Sequence, residues 1–363
     1  MKRLILSLTA LLAAVPALAQ PIMVVPYRPP ETVQRVAIPV DPKEERLKVL
    51  IISGQNSYEH DWTGVNNLIR KQFQDTGRFD VRVTEDFDDG TLAMLKKYDV
   101  VLLNYSSRWN YADEKQHLWS PAAFEALYQY VREGGGLVAY HSSFTWGRDI
   151  PEYKKLVGAT MQPGFSRRSP PDAFMFELTD REHPITKGLR RLHWTFTEDM
   201  YTNMVFAPEA KVHVLATAFD SADAYEPEKS GPKYPAAAYS PEKLRTMKGI
   251  NASHPQIWVQ DYGKGRVFSM TLGHGPDTMM YDGVRTLLAR GTEWAATGKV
   301  TIPPSTRQRT SQSKPASELE PARRDWRGAG GGNCHRDAPL GYTGQDDPPK
   351  SQRAGHRRQR FFR

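Results

Sequence analysis

The chain has 363 residues and a mass of 41.1 kDa, and its 39% hydrophobic and 25% charged residues exclude disorder throughout and allow one large or two ordinary domains. A single cysteine, Cys334, excludes an internal disulfide framework and a Cys-rich metal site. Most of the net charge of +8 belongs to the C-terminal segment, because residues 305–363 hold 13 Lys and Arg against 6 Asp and Glu, a difference of +7. We therefore expect no nucleic-acid partner for the nearly neutral body.

Residues 1–19 are typical of a secretory signal peptide. A basic start is followed by an apolar run over residues 4–15, which is short for a membrane span, and by small residues before the predicted cleavage site after Ala19. We therefore expect a periplasmic or secreted protein with no membrane attachment after cleavage; the alternative is a membrane anchor. Residues 20–46 are rich in proline without apolar periodicity and are interpreted as a lead-in.

Strand-like and helix-like segments alternate in the first half of the body. The predicted strands cover residues 47–52, 81–84, 99–104 and 137–140. The predicted helices cover residues 65–73, 92–98 and 120–131. This alternation predicts right-handed crossovers and a parallel sheet with helices on both faces.

The pattern changes after residue 170, where strand-like segments are joined by loops. They cover residues 174–178, 193–197, 212–219, 236–239, 257–260 and 266–272. A predicted helix over residues 279–296 closes the body. The sequence therefore indicates one α/β domain, residues 47–304, whose second half adds antiparallel strands.

The C-terminal segment, residues 305–363, has a different composition. It contains only four residues of the Val, Ile, Leu, Met and Phe types, which cannot form a core. We interpret it as a disordered basic tail. The alternative is a shifted reading frame in a GC-rich gene, because the segment is rich in Arg, Gly and Pro.

Polar and aromatic residues follow three of the predicted parallel strands. Ligands of open α/β sheets bind beyond the carboxyl ends of such strands. Aromatic rings beside hydrogen-bonding groups suit a sugar, whose C–H faces pack on an indole while its hydroxyls pair with amides and charges. The candidate substrate-binding residues are Asn56, His60, Trp62, Arg108, Trp109, Ser142 and Trp146. The alternative is that they serve as capping or turn residues.

The third buried strand ends in His141, in a segment that resembles the elbow carrying the nucleophile of several hydrolytic α/β folds. A histidine at the tip suits acid–base or ligand duty, and Ser142 is a weaker nucleophile candidate without flanking glycines. His274 lies between two glycines after a later strand, and Glu198 follows another. The catalytic candidates are therefore His141, His274 and Glu198. We expect the strand before His274 to lie in or beside the same sheet and to run parallel to the first strand, so that His60, His141 and His274 line one pocket, with Glu198 or Asp199 close enough to orient an imidazole. The alternative is that His274 caps its strand at the opposite edge.

The sequence indicates no cofactor. It contains no short metal-binding motif of the H-E-x-x-H type, so the sequence does not identify a metal ligand. A divalent metal held by the histidines and Glu198 stays open as an alternative to acid–base chemistry.

The order and spacing of several short motifs resemble the ThuA-like, or trehalose-utilisation, family. The resemblance covers roughly residues 47–303. Its motifs lie at residues 59–62, 134–143, 183–185, 198–201, 262–268 and 271–274.

The resemblance implies a flavodoxin-like, three-layer α/β sandwich similar to the class I glutamine amidotransferases, and a part in disaccharide catabolism through keto-sugar intermediates. The elbow cysteine of the amidotransferases is absent, so glutamine hydrolysis through a thiolate is excluded. We expect an exported enzyme that processes a disaccharide, glycoside or keto-sugar by His/carboxylate acid–base chemistry. The alternatives are a non-catalytic carbohydrate-binding protein and a metal-dependent hydrolase. The oligomeric state stays open.

Overall fold

The computed structural model describes residues 45–54, 60–106, 109–110, 115–116, 118–170, 175–189, 192–193, 198–225 and 240–304. All of them fall in the first of two units of the chain, Met1–Arg307, and the second unit, Gln308–Arg363, lies outside the described residues. The predicted signal peptide, the lead-in to residue 44, the strand at 236–239 and the tail lie outside them as well. Within the described ranges, no helix has the length and apolar character needed to cross a bilayer.

The described residues form a sheet of nine strands. These are β1 (Leu47–Gly54), β2 (Phe79–Thr84), β3 (Val100–Tyr105), β4 (Gly136–Tyr140), β5 (Met175–Leu178), β6 (Leu192–His193), β7 (His213–Asp220), β8 (Ala252–Tyr262) and β9 (Gly265–Met270). Their order in space is β6-β5-β7-β8-β9-β4-β3-β1-β2. Strands β2, β1, β3, β4 and β9 pair in parallel, and the sheet continues from β9 through four antiparallel pairings.

Helices cover both faces of this sheet. They are α1 (Trp62–Asp75), α2 (Leu92–Leu95), α3 (Pro121–Arg132), α4 (Pro151–Val157), α5 (Pro241–Thr246) and α6 (Asp282–Thr297). Alternate strand residues divide between two cores: Val49 and Ile51 pack with apolar residues of α1 and α6, and Leu50 and Ile52 pack with those of α3 and α4. The predicted three-layer α/β sandwich, with a mostly parallel sheet and added antiparallel strands, is therefore confirmed.

Shorter elements complete the described part. Three small antiparallel pairs join Trp109–Asn110 to Lys115–Gln116, Arg167–Arg168 to Tyr201–Thr202 and Ala159–Thr160 to Val205–Phe206. Single 3₁₀ turns cover His141–Phe144, Ala222–Tyr225 and Thr278–Met280.

For one strand, the sequence pattern predicted a start that lies too late in the chain. Strand β8 begins at Ala252, whereas the prediction began at residue 257, because Pro255 interrupts the apolar pattern. Proline has no backbone N–H for a sheet ladder, and the pairing of β7 with β8 is irregular beside it, with register shifts around Ala216 and Thr217. Pro255 also lies before Ile257, where the pairing of β8 with β9 begins, so it is paired with a neighbouring strand on one side only.

The parallel half of the sheet positions the site. Parallel strands bring their carboxyl ends to one edge, and the ends of β4 and β9 are neighbours, with Tyr140 paired to Met270. His141 and the loop that carries His274 therefore leave the sheet side by side. The prediction that the strand before His274 lies in the same sheet and runs parallel to β1 is confirmed.

Candidate functional site

The chain turns sharply at His141, where β4 ends and the 3₁₀ turn His141–Phe144 begins. Its backbone φ is 35°, in the left-handed region that residues with a side chain rarely adopt. Such a conformation costs on the order of 1–3 kcal/mol and persists only where its surroundings hold it. The turn has the strand-to-helix form of the predicted elbow, and it leaves the His141 side chain only 1% exposed.

The hydrogen bonds of His141 fix which ring nitrogen carries a hydrogen. Nδ1 lies 2.7 Å from the carbonyl oxygen of Thr271, which only accepts, so Nδ1 is the donor. In the neutral ring, the lone pair is then on Nε2. This atom lies 3.1 Å from Nε2 of His60 and 3.3 Å from the hydroxyl of Tyr201. The reactive nitrogen of His141 therefore faces His60.

Three imidazoles meet at this edge of the sheet. The ring centres of His60 and His141 are 5.0 Å apart, those of His60 and His274 are 4.8 Å apart, and those of His141 and His274 are 5.3 Å apart. One ring nitrogen from each lies within 4.8 Å of the other two. The structure thus brings together the three histidines that the sequence suggested, and the alternative of His274 at the opposite edge is wrong.

Two adjacent carboxyl groups support the His274 loop in different ways. Glu198 accepts hydrogen bonds from the backbone N–H groups of Gly273 and His274, at 3.3 and 3.2 Å, and from the hydroxyl of Thr278. Asp199 instead faces the ring of His274, with 3.2 Å between Oδ1 and Nδ1. Glu198, the expected catalytic group, thus contacts the backbone of the His274 loop, and Asp199 is the carboxyl group that faces an imidazole, as expected for one of the two.

Burial determines the charge of His60 and His141. Loss of solvent, together with the neighbouring rings of His141 and His274, lowers the pKa of His60 to about 2. Burial likewise lowers the pKa of His141 to about 4, although the charge of Asp199 opposes it. Both rings are therefore neutral near pH 7.

The two carboxyl groups titrate in opposite directions. Burial, followed by the nearby charge of Asp199, raises the pKa of Glu198 well above its usual range. Burial also acts to raise the pKa of Asp199, but its close contact with His274 and the neighbouring His141 and Arg168 outweigh burial and hold this pKa below its usual range. Glu198 therefore holds its proton more tightly than an ordinary glutamate, and Asp199 loses its proton more readily than an ordinary aspartate.

Trp146, expected to contact a sugar, belongs to the core instead. Its side chain is 0% exposed and lies among Trp119, Phe124 and Tyr153, with ring centres 4.3, 5.1 and 5.1 Å away. These rings pack between the sheet and helices α3 and α4. A fully buried indole offers no face to a ligand, so this assignment is corrected.

The other expected binding residues are only partly described. Trp62 is the first residue of α1 and is half-buried. Ser142 follows His141, is buried, and its hydroxyl has no hydrogen-bond partner within the described part of the chain. For Trp109 the backbone alone is described, in a short strand. Asn56 and Arg108 lie outside the described residues.

Sequence reasoning missed three residues of the site. Thr271 and Tyr201 contact the ring of His141, and Arg168 places Nη1 3.4 Å from Oδ2 of Asp199. Thr271 and Tyr201 lie in motifs that carry the family resemblance, which was their available signal. Arg168 lies in none, and only the pairing of its short strand with Tyr201–Thr202 brings it to Asp199.

Comparisons with known proteins agree on a family. A family model described as ThuA, trehalose utilisation, matches residues 48–295. A ThuA-like protein from Parabacteroides merdae has 23% identity and a TM-score of 0.56, with 72% of this chain and 94% of that chain covered. For a ThuA-like protein from Bacteroides uniformis the identity is 21%, the TM-score 0.50 and the coverage 71% and 94%. No curated protein sequence matches. At these identities the solved structures show the fold alone.

Proposed function

Because the chain belongs to the ThuA family, whose description is trehalose utilisation, we propose that it is a carbohydrate-processing enzyme acting on a disaccharide, glycoside or keto-sugar. The observation that carries the proposal is the convergence of His60, His141 and His274 with the carboxylate of Asp199. They meet at the carboxyl edge of the parallel strands, where open α/β folds bind ligands. The apparent signal peptide adds that the enzyme acts outside the cytoplasm.

The environments of these groups select among the expected chemical roles. A general acid or base works best when its pKa lies near the working pH. With pKa values of about 2 and about 4, His60 and His141 are poor proton carriers near pH 7. Their neutral nitrogens are lone-pair donors, suited to accept from a sugar hydroxyl or to bind an electrophile. Acid–base transfer between His141 and Glu198 is therefore less favoured than direct contact of the imidazoles with the substrate.

The test is turnover by the full chain of disaccharides and of their 3-keto forms, compared with the variant His141→Asn. Asparagine tolerates a positive φ, so the turn can keep its shape. We expect at least one substrate to be converted, and the variant to be slower by roughly 100-fold or more. The matched control is His213→Asn, because His213 is exposed at the start of β7 and its ring contacts Asp180 rather than the three histidines.

The same measurements separate an enzyme from a binding protein. An enzyme loses rate in His141→Asn while the control keeps it. A sugar that binds equally to both variants and is never converted would mean that the protein is a carbohydrate-binding module.

A further inference from the structure

The spacing of the three imidazoles matches that of ligands around one metal ion. Zn²⁺ binds imidazole nitrogen at about 2.0–2.1 Å, so two such ligands on one tetrahedral ion lie roughly 3.3 Å apart. Nε2 of His60 and Nε2 of His141 are 3.1 Å apart. One ring nitrogen of His274 lies within 4.8 Å of both, so a small ring movement would complete the set.

We propose that His60, His141 and His274 together bind one divalent transition-metal ion of the Zn²⁺ class, with Asp199 and Thr271 orienting two of the rings. The inference concerns the site of the proposed function, but it does not depend on the substrate. Bound there, the ion would act as a Lewis acid on a sugar oxygen.

The groups behind the rings support this assignment. Metal-bound histidines usually donate their second N–H to a carbonyl or carboxylate, which fixes the tautomer and the ring orientation. His141 donates from Nδ1 to the carbonyl of Thr271, and Nδ1 of His274 lies 3.2 Å from Oδ1 of Asp199. The two atoms of the His274–Asp199 contact are close enough for an ion pair, but they are not aligned as in a straight hydrogen bond. Neither Nδ1 of His274 nor Oδ1 of Asp199 has another hydrogen-bond partner in the described part of the chain. A slight turn of the His274 ring would align the contact.

The donor set also selects the kind of metal. Three nitrogens suit Zn²⁺, Co²⁺ or Ni²⁺, whereas Mg²⁺ and Ca²⁺ require mainly oxygen ligands. The negative charge of Asp199 favours a cation, and Arg168 at 3.4 Å from its second oxygen offsets part of that charge. A hydrogen bond from His60 to His141 would by itself explain the 3.1 Å contact between their Nε2 atoms. It does not explain why the ring of His274 lies beside both.

The test is metal binding by the full chain without a histidine tag. The protein is stripped with a chelator and titrated with Zn²⁺ by calorimetry and with Co²⁺ by visible absorption, which reports nitrogen coordination. We expect one equivalent to bind, and His60→Ala and His274→Ala to weaken binding by roughly 100-fold or more. Asp199→Asn should weaken it by about 10–100-fold, as loss of a group behind a ligand does. The control His213→Ala should bind as the unaltered chain does.

Thermal unfolding of each variant shows whether it is folded, and His60→Gln and His274→Gln replace any alanine variant that is not. If folded variants bind the metal as tightly as the unaltered chain, or if that chain binds none, the rings form only a hydrogen-bonded cluster and the inference is wrong. The sugar assay keeps the two proposals apart. Variant-sensitive metal binding without turnover supports the metal site and removes the proposed function. Turnover of a sugar without variant-sensitive metal binding supports the proposed function and removes the metal site.

Discussion

At His141 the backbone and the side chain have opposite requirements. The backbone adopts a φ of 35°, which glycine tolerates best, while the ring must reach the carbonyl of Thr271 and the nitrogen of His60. The protein keeps a strained turn at the residue that presents a nitrogen to the other two imidazoles. Strain of this kind often marks functional sites.

The strain can be measured by comparing two variants that both lack the imidazole. Glycine is normally less stable than alanine by about 0.5–1 kcal/mol in regular structure. At this position we expect the reverse, with His141→Gly more stable than His141→Ala by about 1 kcal/mol, because only alanine retains the strain. Urea unfolding of both variants gives the difference, and equal or lower stability of the glycine variant would argue against a strained turn.

The raised pKa of Glu198 makes a second prediction. Glutamine has the shape of a protonated glutamate and keeps an oxygen for the N–H groups of the His274 loop, so Glu198→Gln should cost less than about 1 kcal/mol. Glu198→Ala leaves those buried donors unsatisfied and should cost about 2–3 kcal/mol. Chemical denaturation measures both, with exposed Glu182→Ala as the control that should change little. A cost for the glutamine variant as large as that for the alanine variant would contradict this expectation.

At the scale of elements, the aromatic cluster around Trp146 joins helices α3 and α4 to the sheet. Trp146→Ala should lower the free energy of unfolding by about 3–5 kcal/mol, as expected for a large buried aromatic side chain. Half-buried Trp62→Ala should cost less. Calorimetric unfolding with a sugar-binding assay checks this. Unchanged stability with weakened sugar binding would restore the original assignment of Trp146.

The elements that could be predicted were those with strong local patterns. The apolar runs of β1, β3 and β4 and the proline-led α3 are visible in the sequence, and so is the parallel order that brings their ends together. Helix α4 has seven residues, too few to show a helical period, and Pro255 hid the start of β8. The sequence around a tryptophan that follows a strand does not show whether its ring faces solvent or the core. The wrong assignment of Trp146 could therefore not be avoided from local sequence.

The site itself was partly predictable for the same reason. His60, His141 and His274 follow strands that the pattern identified, so their meeting could be expected. The contact of His141 with Thr271 joins residues 130 apart in the chain, and no local signal encodes it. The division of Glu198 and Asp199 into a loop support and a ring partner also depends on atomic geometry that two adjacent acidic residues do not reveal.

At the scale of the whole molecule, the C-terminal anchor of the domain lies just before residue 305. Glu293 accepts from the backbone N–H groups of Thr301 and Ile302, at 2.8 and 3.0 Å, and Arg290 donates to the carbonyl of Ile302 at 2.9 Å. These contacts attach the end of the domain to helix α6.

A chain ending at Pro304 keeps this anchor, and it should melt within about 5 °C of the full chain, because the segment it lacks has few apolar residues. A chain ending at Gly298 loses it and should be less stable by about 2–3 kcal/mol, since hydrogen bonds to buried charged groups are lost. Calorimetry on the three chains tests this. A large drop already at Pro304 would show that residues 305–363 pack on the domain.

Strand β9 pairs with β4 but follows the strands β5 to β8 in the chain, and this order has a consequence for folding during translation. His60 and His141 are 81 residues apart and leave the ribosome early, but the strand that carries the chain to His274 is the last of the described sheet. A nascent chain halted before β9 has neither the third imidazole nor the Thr271 carbonyl that holds the second. Closing so long a loop is slow, because its entropy must be lost before the contact is gained. The cluster of three histidines can therefore form only when nearly the whole domain has been translated.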